Sequence, residues 1–310
     1  MNSPSPREKD SGAVRKKTPD PFPSAGSEYE RLREADTFLF VRTDRRLLLQ
    51  RNGFVRFGDF MMCPHGEVVH SHGLRDVVRL VLKDETGSQT VFLKRFGPMH
   101  LKDALKDLLL LRRVRTRAVL ELDMLSAFRR AGLAAPGVLA CGERHVLCRD
   151  RASFLMVDAL PSGEPLDTVL VGLKESRRRR PLIASVAEFV RRMHQAGCSH
   201  TDLFAKHLFV TEGQDGKWSV AVIDLQRAVR RPSLSVRLRG RDLASLMVSL
   251  TPKATTRRER LEFFLGYLNQ AKLTKDDVTF MRTAVLPQAR KLSRRTGYQA
   301  WRPILERLEA

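Results

Sequence analysis

Between residues 37 and 95 apolar and polar positions alternate in short runs, TFLFV, EVVHS, DVVRLVL and TVFLKRF, each rich in β-branched and aromatic residues. A period of two in such runs predicts strands. Gly73 and the polar stretch Asp84, Glu85, Thr86, Gly87, Ser88 supply turns between several of them, so an antiparallel sheet is predicted over this span. From 101 to 131 the period changes. Leu105, Leu108, Leu109 and Leu111, then Val119, Leu122, Leu125 and Phe128 after a basic break, follow helical spacing, and Gly132 ends the run. Two further strands are predicted at 138–140 and 154–157. The sequence DALPSGEPL after them has the Pro and Gly of a connector.

Beyond residue 165 the spacing is mainly helical. The helix ending in FVRRMHQAGCSH should stop at Gly197, where a left-handed residue closes a helix without a Cβ penalty. HLFVT and SVAVIDL then flank a polar turn at 212–217, and helices cover most of 240–310. This is an α+β order: a β-rich lobe with one main helix over 31–158 and a helical lobe carrying a β-hairpin over 159–310. The Pro-, Ser- and charge-rich residues 1–30 form an expected disordered tail. A cleft between two such lobes is a natural ligand site.

Composition narrows the function. The 310 residues are 42% hydrophobic, with no apolar run near the roughly 20 residues of a membrane span, and the N-terminus lacks a secretory h-region. A cytoplasmic protein is expected, with reduced thiols, because Cys63, Cys141, Cys148 and Cys198 have neither zinc-site nor dense disulfide spacing. A formal charge of +21 calls for an acidic partner. The excess gathers at Arg112, Arg113, Arg115 and Arg117, at Arg177 to Arg180, and at Arg227, Arg230, Arg231, Arg237, Arg239 and Arg241. The second run is expected to face an anionic surface. Nucleic acid is disfavoured, since no zinc-finger, homeodomain or RNP-like pattern occurs and only 7% of residues are aromatic.

The chemistry concentrates in HTDLFAKHLFV at 200–210 and VIDLQR at 222–227. Phosphoryl transfer needs one carboxylate to orient the acceptor hydroxyl and take its proton, and another to hold the magnesium that bridges the phosphates. Asp202 and Asp224 suit those two duties, because the intervening strand, turn and strand bring the second back beside the first. The pattern resembles the catalytic loop of protein kinases, with His207 where a metal-binding Asn is usual and Asp224-Leu225-Gln226 in place of DFG. In that form, HxDL-x3-H followed by IDL-x-R, it is similar to the lipopolysaccharide core kinases that phosphorylate heptose or Kdo.

The resemblance implies a two-lobed protein-kinase-like fold, with ATP and Mg2+ in the cleft and a lipid-linked saccharide of the lipopolysaccharide inner core as acceptor. Catalysis then falls to Asp202, with His200 in the same loop, and the metal to Asp224. Lys94, late in its strand, would meet the phosphates and pair with Glu121, for which Asp123 competes; His207 would lie beside the nucleotide or orient the loop. The turn from Ser71 to Asp76 stands where kinases carry a glycine-rich loop, and Asp242 takes the place of the aspartate that steadies the catalytic loop. Such an acceptor places the enzyme at the anionic inner-membrane surface as a peripheral protein.

Overall fold

Strict alternation places every second side chain of a strand on one face, so a sheet bearing two apolar faces must be covered twice. The computed structural model describes residues 28–34, 36–85, 87–97, 116–144, 152–160 and 162–307. Its first part comprises β1 (Tyr29–Glu34), β2 (Thr37–Arg42), α1 (Arg46–Arg51), α2 (Phe57–Met62), β3 (Glu67–His72), β4 (Arg75–Asp84), β5 (Gly87–Phe96), α3 (Arg117–Arg130), β6 (Val138–Arg144) and β7 (Ser153–Asp158). The seven strands form one sheet in the order β1-β2-β6-β7-β5-β4-β3, with every neighbouring pair antiparallel.

One face buries Val78, Leu80 and Leu82 of β4, Val91 and Leu93 of β5, and Phe154 and Met156 of β7. The other carries Phe92, Lys94 and Phe96 of β5 and Leu155 and Val157 of β7, and lies against Val119, Leu122, Leu125 and Phe128 of α3. Lys94 thus faces α3 by strand parity alone. Gly142 of β6 has no room for a side chain, because a Cβ there would come within 2.4 Å of the Phe154 ring.

Two stretches inside the span predicted as extended are helices. Phe54, Phe57 and Phe60 recur every third residue, which sets them on one helical face rather than on alternate faces of a strand. The Asp59 carboxylate accepts the N–H groups of Val55 at 2.8 Å and Arg56 at 2.6 Å, holding the first turn of α2. Phe60 then stacks on Phe154, ring centroids 4.1 Å apart, and this cover closes the sheet's second face. Burial of each such ring contributes about 1.5–3 kcal/mol. The sheet also starts earlier than expected: Tyr29 and Glu30, assigned to the tail, belong to β1. Of the helix expected over 101–131 only the portion from Thr116 is described; Arg112, Arg113, Arg115 and Cys148 lie outside the described residues.

The second part contains β8 (Glu164–Pro165), α4 (Leu166–Gly172), α5 (Ser176–Gln195), β9 (Cys198–Ser199), β10 (Leu208–Glu212), β11 (Trp218–Val222), β12 (Val229–Arg230), α6 (Val236–Ser249), α7 (Arg257–Leu268), α8 (Lys275–Phe280), α9 (Leu286–Ser293) and α10 (Arg302–Arg307). Leu182, Val186, Ala187, Val190 and Met193 line the buried stripe of α5, which is amphipathic over its 20 residues. It stops as expected. Gly197 has φ +73°, and a Cβ there would meet the Arg231 carbonyl at 2.0 Å. The hairpin β10–β11 pairs Leu208 with Val222 and delivers the chain to Asp224. The core beneath α3 is continuous with that of the helical part, and the Val222 N–H bonds the Ala134 carbonyl at 3.0 Å, tying α3's exit to the hairpin.

The Arg177 to Arg180 run is not a uniform solvated patch. It opens α5, and Arg179 turns inward: Nε and Nη2 reach Glu259 at 2.6 and 3.2 Å, Nη1 the Leu170 and Leu173 carbonyls, and Nη2 the Ala254 carbonyl. Arg178 pairs with Glu212 of β10, and Arg180 approaches Glu262 of α7. Among the described residues no helix is long and apolar enough to cross a membrane.

Candidate active site

The loop after β9 is held by a buried carboxylate. Asp242 of α6 is fully buried, and its oxygens accept the backbone N–H of His200 at 3.0 Å, the N–H of Thr201 at 2.8 Å and the His194 Nε2–H at 3.1 Å. The Tyr267 hydroxyl meets the other nitrogen of His194 at 2.9 Å. Three donors offset the cost of burying that charge and leave the loop one conformation. Thr201 is thereby kept at φ 66°, a left-handed backbone that a β-branched residue rarely adopts, and its hydroxyl donates to the Arg227 carbonyl at 2.9 Å.

Every candidate site residue is described. His200 is buried, 1% exposed, and its Nε2–H donates to the Ile223 carbonyl at 2.9 Å, joining the loop to the end of the hairpin rather than lining the cleft surface. His207 spans the two aspartates. Its Nδ1–H donates to the Asp202 carbonyl at 2.9 Å, which leaves Nε2 unprotonated, 3.9 Å from Asp224 Oδ2. Burial pushes the His207 pKa down, more than the bond to Asp202 raises it, so the ring stays neutral.

Asp224 lies in the left-handed region at φ 62° and accepts from Gln226 Nε2 at 2.8 Å. Burial opposes its ionisation, but the charges of Lys94 and Arg75 outweigh burial and hold its carboxyl below the usual aspartate range. Lys94 itself bonds Glu121, both side chains nearly buried, and it is Glu121 rather than Asp123 that makes this pair. Lys94, Glu121, His207 and Asp224 therefore form one connected constellation, with Asp202 joined to it through its own carbonyl.

Asp202 offers its carboxylate to the cleft but is not free. Oδ2 is 2.8 Å from Arg227 Nη1 and Oδ1 is 3.1 Å from Arg241 Nη2. Arg75, at the start of β4, reaches across the cleft to 3.6 Å from Asp224 Oδ1. It follows the two-residue turn Gly73-Leu74, with Gly73 at φ 57° and His72 opposite Arg75, the place of the short turn anticipated from sequence. The sequence singled out none of Arg75, Arg241 and Gln226 individually. Only its position two residues after Gly73 distinguishes Arg75, and Arg241 is marked by its place at the end of the third basic run and by adjoining Asp242.

No group of three or more His, Cys, Asp or Glu suited to a metal occurs among the described residues. Magnesium that takes most of its ligands from phosphates and water needs fewer. It fits an ionised Asp224, a hard oxygen ligand; the neutral His207 nitrogen beside it is an unusual ligand for so hard a cation and suits an orienting role.

A model of the lipopolysaccharide kinase (Kdo/WaaP) family matches residues 64–267. The chain is 30% identical over 196 residues to the lipopolysaccharide core heptose(I) kinase WaaP of Escherichia coli K12, covering 61% of this chain and 74% of that protein. It is 28% identical over 199 residues to the enzyme of the same description from Pseudomonas aeruginosa, covering 62% and 74%. A solved structure, WaaP in complex with acyl carrier protein, superposes with a TM-score of 0.60 at 23% identity over 88% of this chain and 99% of that one, a likeness of fold.

Proposed function

Because the chain belongs to the lipopolysaccharide kinase (Kdo/WaaP) family, and is thus a phosphotransferase of protein-kinase-like fold acting on a lipopolysaccharide core sugar, we propose that it moves the γ-phosphate of ATP to a heptose or Kdo hydroxyl. The observation that carries this reading is the Lys94–Glu121 pair beside Asp224, with Asp202 one histidine away. Residues 31–158 and 159–310 act as the two lobes that enclose the nucleotide.

Lys94, fixed by Glu121, binds phosphate oxygens, and Arg75 adds a second positive charge from the same lobe. Asp224 would hold magnesium, which when bound with the phosphates neutralises charge on the transferring group, and His207 orients the loop by its bond to the Asp202 carbonyl. Asp202 orients the acceptor hydroxyl in line with the γ-phosphate and accepts its proton. His200 positions the loop by its bond to Ile223. Catalysis is mainly positioning and charge neutralisation, so no covalent intermediate is required. The exposed arginines Arg230, Arg231 and Arg237 would hold the enzyme, as a peripheral protein, on the anionic cytoplasmic face of the inner membrane where such an acceptor lies, each worth about 1 kcal/mol near that surface.

Transfer from labelled ATP to purified core lipopolysaccharide, with protein and small alcohols as competing acceptors, tests the reading. Core lipopolysaccharide should be the preferred acceptor. Asp202→Ala should lower kcat by about 10²–10⁴-fold while ATP affinity stays near parental, because the residue acts on the acceptor. Unchanged turnover in that variant would remove the assignment.

A further inference from the structure

Both oxygens of Asp202 are occupied, one by each of two arginines that serve no other carboxylate among the described residues. Each oxygen keeps a second lone pair, so the two guanidiniums compete with an acceptor hydroxyl for this carboxylate rather than exclude it. Two guanidiniums on one carboxylate also leave one positive charge in excess beside the point of attack. We propose that Arg227 and Arg241 form an anion-reading clamp. A carboxylate or phosphate on the acceptor, next to the hydroxyl to be phosphorylated, draws the two guanidiniums off Asp202, so that binding of a correctly charged acceptor frees the base. This rests on the proposed transfer from ATP to a core sugar and deepens it by naming the chemical feature the acceptor must carry.

Three observations support the clamp. The stems of both arginines are located by the elements that fix the catalytic loop: the Arg227 carbonyl accepts from Thr201, and Arg241 adjoins Asp242, which holds the N–H groups of His200 and Thr201. The heads, by contrast, are accessible, with side chains 65% and 38% exposed, so their pairing with Asp202 is solvated and readily exchanged. Finally, the cations that act on Asp224, Lys94 and Arg75, come from the sheet, whereas Arg227 and Arg241 come from the helical part and act on Asp202. That division puts the clamp on the acceptor. Guanidinium forks also match planar or tetrahedral oxyanions better than they match a sugar hydroxyl.

The test uses the full chain, ATP and core oligosaccharide in three forms: intact, dephosphorylated, and with its carboxyl groups reduced to alcohols. The parent should lose about 10- to 100-fold in kcat/KM on whichever form lacks the anion that is read, the scale of a lost charge-assisted contact, and the two altered forms tell phosphate from carboxylate. Arg227→Gln and Arg241→Gln should each fall by a similar factor on intact acceptor but gain on the anion-free form, where losing a guanidinium only removes a competitor for Asp202, so that discrimination shrinks towards unity at unchanged KM for ATP. Arg227→Lys should keep part of it. Equal slowing on all three forms, or a raised KM for ATP with discrimination intact, would overturn the clamp. A second measurement is independent of turnover. Inorganic phosphate should raise the parent's melting temperature saturably, and each Gln variant should lose part of that shift; identical shifts in parent and variants would also overturn it. If the parent transfers phosphate to none of the three acceptors, the proposed function fails, whereas the phosphate-binding comparison still decides whether the two arginines bind an anion.

Discussion

Arg179 and the pair Arg227 and Arg241 come from the same kind of basic run, yet the fold uses them in opposite ways. Arg179 spends all five guanidinium N–H donors on Glu259 and three carbonyls, with side chains 11% and 14% exposed in the ion pair, and so fastens α4, α5 and α7 to one another. Arg227 and Arg241 meet one carboxylate, with their heads in water. A buried guanidinium with every donor used cannot let go without leaving an unpaired charge in the core, whereas an exposed one exchanges partners at little cost. Equal charge in the sequence therefore yields a rivet in one place and a movable contact in the other.

The largest effect should come from undoing the rivet. Arg179→Met leaves Glu259 and three carbonyls without their donor and should cost about 3–5 kcal/mol of stability, or roughly 6–20 °C in melting temperature, with activity per folded molecule near parental at low temperature. Thermal unfolding with activity normalised to folded protein checks this, and a loss below about 1 kcal/mol would put Arg179 with the exposed arginines. A smaller effect is expected in acid. Burial pushes the Glu259 pKa up, but its bonds to Arg179 and Thr256 outweigh that and hold it below the ordinary glutamate value of 4.5. Since the folded pKa is the depressed one, this stabilisation is fully present above about pH 4.5 and is lost as pH falls through the folded pKa. Arg179→Met should flatten that part of the stability profile between pH 6 and 3, as followed by denaturant titration. The smallest effect is expected at the clamp, where Arg227→Gln should change stability by less than about 1 kcal/mol while altering acceptor discrimination. A larger loss there would mean that Arg227 is structural too, and the contrast would collapse.

Much of the site was legible because its signals are local. Alternation in TVFLKRF puts Lys94 on the face opposite Val91 and Leu93, and that face meets α3. The choice between Glu121 and Asp123 could also have been made from spacing: Glu121 shares the helical stripe of Ala118, Leu122 and Leu125, while Asp123 points off it. The same rule exposes the error at 46–62, where the three-residue spacing of Phe54, Phe57 and Phe60 signalled a helix inside a span read as strands. His200 was grouped with the catalytic aspartate from its place in the motif. Its burial and its bond to Ile223 support a positioning role, and nothing in the local sequence distinguishes the two.

By itself the sequence determined what depends on near neighbours: the strand and helix periods, the glycine that ends α5, the α+β order, and the two aspartates brought together by a hairpin. Only the tertiary structure decided which charges meet. Arg75 reaches Asp224 across the cleft, Arg179 is swallowed by three helices, and Arg227 and Arg241 converge on Asp202 from separate elements. The physical reason is that periodicity is a property of a few consecutive residues, whereas the strength and permanence of an ion pair depend on distance and burial, which arise only when distant segments pack together.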